Sequence, residues 1–476
     1  MGDVESDRLR LEGNEFFKAG KFEKAIDAYS AAIAASPSAA LYCNRAFCNV
    51  KLCFSGEALN DVDEALKLDP ANVKAHYRAG QALLQLGKVK EALREFKACA
   101  TLAPADPDAA EKVKIVEKQW KVIQFQKAIQ SEETVPLSQK LDPTKIEVPG
   151  AYKGPLLGSD LTVTPSYVKE LLDHMRAEQL PARRDVVAIL KQAIDVMSTC
   201  PNVMPIDVPE NEEITVCGDT HGQYYDLLNI FKLNGLPSEG NRYLFNGDFV
   251  DRGSYSFETI FALLAHKVLY PGHMYMSRGN HESLNLNRMY GFEGEVKAKY
   301  DEQIFQLFQE VFGALPLAHC INKKVFVTHG GLFSRDNVTI AEINKEDRFR
   351  DLPEEGLMVD MLWSDPHGMP GRAKNKRGVG VAFGEDITRN FLETNNLKLV
   401  VRSHEVTDNG YLMWHSDKLI TVFSAPNYCD QIGNKGAFIR FEGKAMKPQF
   451  TTFEHVKHPG KRPMQYSAMG MGLMGM

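Results

Sequence analysis

The sequence predicts a chain of two classes: an all-α superhelix of short repeats at the front, followed by an α/β domain whose strands end in polar, ligand-type residues. Three observations carry this. Gly13, Ala46 and Gly80 recur at spacings of 33 and 34, and so do Ala25, Ala58, Ala92 and Pro37, Pro70, Pro104. Farther on, six short apolar runs each pass directly into aspartate, asparagine or histidine. The length of 476 residues also exceeds what a single core usually holds.

Between the repeated marks run helix-period segments such as "FEKAIDAYSAAIAASP" and "VKEALREFKACATLAP", with small residues where paired helices approach and proline where the second helix stops. Residues 6–105 thereby resemble three tetratricopeptide repeats, and "DAAEKVKIVEKQWKVIQFQKAIQ", within 106–130, reads as a helix capping the stack. Such a stack presents a groove lined by the first helix of each repeat. Arg10 and Asn14 lie four residues apart and share a helix face, as do Lys74 and Arg78, while Asn44 belongs to the middle repeat. These five positions resemble the set with which some repeat domains grip the acidic C-terminal tails of heat-shock chaperones, Arg10 standing where that set has lysine. The resemblance implies a clamp on the peptide's two carboxylates. Residues 131–155 lose periodicity and gain proline, which predicts a linker.

A formal charge of −6, from 56 Lys and Arg against 62 Asp and Glu, argues against general nucleic-acid binding. No apolar run is long enough to span a membrane, and the opening "MGDVESDRLR" does not read as a signal peptide. Eight cysteines without a CxxC pair predict free thiols in a reducing compartment. The expected location is cytoplasmic and nuclear.

In the second domain, residues 156–455, helical entry segments lead to "ITVCGDTHG", "YLFNGDFVDRG", "MYMSRGNHE", "VFVTHGG", "LVVRSHE" and "ITVFSAPNYC". Ligand-binding groups collect beyond the carboxyl ends of buried strands, because those ends are rigid and close together. Sorted by chemistry, the ends offer Asp219, His221, Asp248, Asn280, His329 and His404. This oxygen and nitrogen set without sulfur suits manganese, iron or zinc at a reactive centre rather than a structural zinc. Two ions sharing the Asp248 carboxylate account for all six, with Asn280 a neutral donor that limits the charge. His281 follows Asn280 and should point elsewhere, which leaves it for proton transfer, with Asp251 orienting its ring.

Together "GDTHG", "GDFVDRG", "RGNHE", "HGG", "RSHE" and "SAPNYC" resemble the serine/threonine phosphoprotein phosphatase family over roughly 160–450. The resemblance implies a mixed β-sandwich flanked by helices. Alternation of strands and helices alone does not separate that fold from a doubly wound sheet. It also implies hydrolysis of phosphoserine and phosphothreonine by direct attack of a hydroxide between two divalent ions, manganese in vitro and iron or zinc in cells. Arg252, Arg377 and Tyr428 match the family's substrate-contacting positions, and His281 with Asp251 its general acid. Arg278 reads equally as added charge or as a structural group. The repeats then imply chaperone recruitment and restraint of activity. Residues 456–476, rich in glycine and methionine at their end, predict a flexible tail. Two rival readings remain at this level: a two-metal phosphoesterase acting on dinucleotides, and a catalytically silent chaperone adaptor.

Overall fold

The computed structural model describes residues 2–129 and 135–467. The end of the expected cap, residues 131–134 of the expected linker and residues 468–476 of the expected tail lie outside them. The chain forms two compact units, one holding the repeat helices with Lys374–Val379, the other the remaining described residues from Val135 onward.

The first unit contains α1 (Gly2–Lys18), α2 (Phe22–Ala35), α3 (Ala39–Lys51), α4 (Ser55–Leu68), α5 (Val73–Gln85), α6 (Val89–Leu102) and α7 (Pro107–Ile129). Pro37, Pro70 and Pro104 each fall two residues beyond the second helix of a pair, where a missing N–H ends the ladder. Ser38 and Asn72 cap α3 and α5 by accepting from Leu41 N (3.4 Å) and Ala75 N (3.0 Å). Ala25, Ala46, Ala58 and Ala92 are fully buried. The periodic glycines have a steric cause: a Cβ on Gly13 would lie 2.7 Å from the Tyr29 ring, and one on Gly80 equally close to Phe96. Each aromatic ring occupies the volume that the glycine leaves open.

The second unit is a sandwich. Its strands are β1 (Val203–Ile206), β2 (Glu213–Cys217), β3 (Arg242–Phe245), β4 (Met274–Met276), β5 (Ala318–Ile321), β6 (Val325–Thr328), β7 (Asp365–Pro366), β8 (Arg372–Lys374), β9 (Val381–Phe383), β10 (Leu399–Arg402), β11 (Tyr411–Trp414), β12 (Leu419–Val422), β13 (Gly436–Glu442) and β14 (Pro448–Phe453). One sheet has the order β1-β5-β6-β10-β12-β11, another β14-β13-β2-β3-β4, and β7-β9-β8 form a small third. A core including Val216, Leu244, Val327, Val401, Val422 and Ile439 lies between the two large sheets. Helices Pro165–Arg176, Arg183–Ser198, Ser256–Leu269 and Glu302–Ala314 pack on the far side of one sheet, and Leu357–Trp363 with Glu385–Thr394 on the far side of the other. Strands buried on both faces read as continuous apolar runs, which is why β3, β6, β10 and β12 are buried at every residue.

Two segments differ from the expectation drawn from composition. The described part of the linker packs on this unit: Leu137 and Ser138 donate their N–H groups to Glu310 (2.6 and 3.2 Å), and Leu137, Leu141 and Ile146 pack against its core. Val456–Ser467 is likewise fastened, Val456 N donating to Asp226 (2.8 Å) and Ser467 Oγ to Met289 O (2.6 Å). Both are held through backbone groups paired with remote residues, a feature that composition does not carry.

Substituting Gly80→Leu should destabilise the repeat unit by about 1–3 kcal/mol, because Phe96 is fully buried and has nowhere to move. Hydrogen exchange should quicken in α5 and α6 and stay unchanged in β2–β4. Unchanged protection in α5 and α6 would contradict the steric account.

Candidate active site

β2, β3 and β4 run parallel in one sheet, as do β6, β10 and β12 in the other. The six expected ligand loops leave the carboxyl ends of these two trios. The trios are stitched together directly beyond the strands. Asp219 bridges to Phe423, Gly218 N donates to Ser424 Oγ (2.8 Å), and the Asn246 amide donates to Thr328 O (2.8 Å) and Ser403 Oγ (2.9 Å). Loops from opposite sheets are therefore held at fixed separation.

The six proposed ligands converge. Asp248 Oδ2 stands between two imidazoles, 3.5 Å from His221 Nε2 and 3.3 Å from His329 Nε2. His329 Nε2 is also 2.9 Å from Asn280 Oδ1 and 3.2 Å from His404 Nδ1. Asp219 Oδ2 lies 3.6 Å from His221 Nε2. Backbone carbonyls hold the other ring nitrogens: Val250 O is 3.0 Å from His221 Nδ1, and Asn246 O is 2.8 Å from His329 Nδ1. Each contact fixes the tautomer that leaves Nε2 as the ligating atom. Two groups of ligand atoms lie within 4.8 Å, His221–Asp248–His281 and Asp248–His329–His404, and Asp248 is common to both. That is the place of a bridging ligand.

The electrostatics suit a cation. Burial and the charge of Asp248 push the Asp219 carboxyl up, whereas His329, His281 and His221 pull Asp248 down against its burial. Burial lowers His221 to about 3, and His329 rises to about 9 because Asp248 and Asp219 more than offset its burial. Asp219 Oδ2 is buried with no hydrogen-bond partner among the described residues. An orphaned carboxylate oxygen among neutral-capable imidazoles fits a divalent ion.

His281 has its Nδ1 2.8 Å from Asp251 Oδ2. Asp251 also accepts from Asn287 Nδ2 (3.1 Å) and Phe292 N (3.0 Å). Although His281 is near enough to His221 and Asp248 to ligate, its ring is committed to Asp251 on one side. Only Nε2 remains for chemistry.

The sequence reading missed several supporting groups. Glu282 accepts from Asp248 N, Phe249 N and Gly279 N, all at 2.8 Å, and so locks the "GDFVD" loop to the "RGNHE" loop. Its signal was the last letter of that second motif. Asn246 and Asn287 stand among turn-forming residues and carried no distinguishing signal. Arg278 proves structural: it is buried and donates to Glu282 O, Arg348 O and Arg350 O. His221, Asp248, Asp251, Arg252 and His404 all adopt positive φ, between 39° and 70°, a strained conformation held by the surrounding contacts.

Tyr428 and Arg252 flank His221. The Tyr428 ring lies 5.1 Å from that imidazole, and the Arg252 charge helps to lower its pKa. The Arg252 guanidinium stacks 3.7 Å over Tyr290. Arg377 falls in Lys374–Val379, within the first unit, and its backbone N–H donates to Asn375 Oδ1 (2.9 Å). In the repeats, Arg10 and Asn14 lie on α1, Asn44 on α3, and Lys74 and Arg78 on α5. Arg10 pairs with Asp7 (3.2 Å), and Asn14 accepts from Tyr29 OH (2.7 Å). Arg78 stacks 3.4 Å over Phe47, with Lys51 Nζ 5.0 Å from the same ring. Burial lowers Arg78 to about 10, and burial with the Arg78 charge lowers Lys51 to about 8. Lys51, seven residues after Asn44, was not singled out from the sequence although the spacing places both on one face.

Family models match three stretches of the chain. Residues 213–408 match a calcineurin-like phosphoesterase, 113–205 a PPP5 TPR repeat region, and 10–45 with 54–109 a tetratricopeptide repeat. The chain is 54% identical over 473 residues to serine/threonine-protein phosphatase T of Trypanosoma brucei brucei, covering 99% of each chain. It is 46% identical over 473 residues to human serine/threonine-protein phosphatase 5, covering 98% of this chain and 95% of that one. A solved Saccharomyces cerevisiae serine/threonine phosphatase, described as similar to human PP5, superimposes with a TM-score of 0.61 at 39% identity. It covers 64% of this chain and 100% of its own. These relatives disfavour the dinucleotide and silent-adaptor readings, and the phosphoesterase family implies divalent metal ions that the ligand cluster fits. With repeats, phosphoesterase unit and near full-length similarity on one chain, the protein belongs to the serine/threonine-protein phosphatase 5/T family and is a protein phosphatase with a tetratricopeptide repeat region.

Proposed function

We propose that this site cleaves phosphoserine and phosphothreonine esters in a single displacement with His281 as general acid. The observation that carries the proposal is the 2.8 Å contact between His281 Nδ1 and Asp251 Oδ2 beside a donor set centred on Asp248. Asp219, His221, Asp248, Asn280, His329 and His404 would hold two divalent ions, manganese in vitro and iron or zinc in cells. Such ions, when bound, acidify water and neutralise charge on phosphoryl oxygens. Asp251 orients the His281 ring through Nδ1, so that Nε2 can hand a proton to the departing alkoxide oxygen. Arg252 offers a planar guanidinium to two phosphoryl oxygens, steadied from one face by Tyr290. Arg377 and Tyr428 are assigned substrate contacts by family resemblance.

His281→Ala should lower turnover on phosphoserine peptides by roughly two to four orders of magnitude with metal content unchanged. The loss on p-nitrophenyl phosphate should be far smaller, since that leaving group needs little protonation. Equal losses on both substrates would refute the acid role.

The repeat groove is proposed to bind the acidic C-terminal tail of a heat-shock chaperone through Arg10, Asn14, Asn44, Lys74 and Arg78, and to restrain the catalytic unit when empty. The half-desolvated charges of Arg78 and Lys51 support this, because a carboxylate would relieve their burial. Restraint is supported by connectivity: only residues 130–134 separate the end of α7 from the segment packed on the catalytic unit, which keeps effective concentration high. Cytoplasm and nucleus are the proposed locations, where eight cysteines without a CxxC pair are at home.

An acidic chaperone peptide should raise turnover of the full chain. Lys74→Glu or Arg78→Glu should abolish both peptide binding in calorimetry and activation, while basal hydrolysis persists. Activation without binding loss in either variant would remove the clamp, and binding without activation would leave the repeats as a targeting device.

A further inference from the structure

The segment Val456–Ser467 follows β14 and is tied to both turns that carry the proposed substrate contacts, Arg252 and Tyr428. At one end, His458 Nε2 lies 3.2 Å from Asp430 Oδ1, in the short 3-10 turn Tyr428–Asp430. Midway, Tyr255 OH donates to Pro459 O (2.9 Å), and Lys461 Nζ pairs with Glu178 (2.8 Å) while lying 4.8 Å from the Tyr255 ring. Next, Met464 N donates to the carbonyl of Arg252 itself (2.8 Å). Ser254 Oγ donates to Arg462 O (2.5 Å) and accepts from Gln465 N (3.3 Å). Ser467 Oγ finally donates to Met289 O, beside the Tyr290 that stacks on Arg252.

The turn so fastened is held partly from within, Gly253 N donating to Asp251 O (2.8 Å) and Asp251 N to Ser256 Oγ (3.1 Å), and partly from outside. Asp251 and Arg252 both have φ of 70°, a region that non-glycine residues occupy only under outside constraint. The catalytic side supplies part of it, through the contacts of His281, Asn287 and Phe292 with Asp251. Those contacts fix the carboxylate and leave the carbonyl of Arg252 and the hydroxyl of Ser254 to the later segment. A guanidinium that must meet two oxygens tolerates about half an ångström of misplacement, so the backbone beneath it matters.

We propose that Val456–Ser467 is a positioning strap for phosphate binding, holding the Arg252 turn through Met464 and Ser254 and the Tyr428 turn through His458. Ser254 and His458 are then positioning residues that act through Arg252 and Tyr428. The inference rests on Arg252 being a phosphate contact, as proposed above.

The test uses the full-length, metal-loaded enzyme. Ser254→Ala removes two hydrogen bonds without cutting the chain, and should raise KM for a phosphoserine peptide and Ki for inorganic phosphate by roughly 3- to 10-fold, with kcat within about twofold. His458→Ala should raise KM in the same manner. In an Arg252→Ala background, Ser254→Ala should change nothing further, because its effect is transmitted by the missing side chain. If Arg252→Ala leaves phosphate Ki unchanged, the assignment of Arg252 fails and the strap with it. If Arg252→Ala raises Ki but neither single strap variant does, or if Ser254→Ala adds its full effect on top, the strap is a packing element and the proposal is overturned.

Discussion

Two carboxylates, Asp219 and Asp248, are buried side by side where two sheets meet, and most of the catalytic unit answers to that constraint. An uncompensated buried carboxylate costs several kcal/mol, and a second one nearby adds repulsion. The surroundings offset this in layers. Imidazoles with fixed tautomers face the carboxylates, backbone N–H groups of His281 and His404 donate to them, and the geometry leaves Asp219 Oδ2 for a cation. Residues His221, Asp248 and His404 take left-handed backbone conformations to bring these atoms together, at about 1–3 kcal/mol each. Such strain persists only in a frame stiff enough to impose it.

The sandwich is that frame. A parallel trio in each sheet ends at the same edge, and Asn246, Ser403 and Ser424 stitch the two edges across the gap. Glu282 performs the same service between neighbouring loops of one sheet, using three backbone donors that would otherwise be buried without partners. The ligands are thus placed by hydrogen bonds to main chain, which do not depend on what the ligand side chains themselves are doing. The repeat unit follows a different logic: its helices pair through glycine and alanine against aromatic rings, and its proposed binding face is a row of basic and amide side chains set along first helices.

The repeats were legible because one steric solution recurs: glycine or alanine against its neighbour and proline at the close, three times at one period. The six candidate ligands were legible because each stands close after an apolar run, and a strand end leaves little choice of direction. Glu282, Asn246 and Asn287 were not legible as braces, since a glutamate or asparagine in a loop has the same appearance whether it faces water or three buried amides. The packed course of residues 135–155 and 456–467 was hidden for the same reason. Proline, lysine and glycine lower the expected order of a segment, while the backbone bonds that fasten these two run to Glu310, Asp226, Arg252 and Ser254, far away in sequence.

What the sequence by itself determined, then, is local and repetitive: helix pairing by small residues, apolar runs buried on both faces, and the chemical identity of groups at their ends. Tertiary structure alone decided that the six ends belong to two sheets rather than one, that Asp248 stands between two imidazoles, and that the last described stretch is tied to the arginine turn. The physical reason is reach. Side-chain type and spacing specify contacts within a helix turn or a strand, whereas a carboxylate's burial, a histidine's tautomer and a strap's anchorage depend on partners supplied by segments hundreds of residues away, as with Ser254 and Arg462, whose meeting only the closed core enforces.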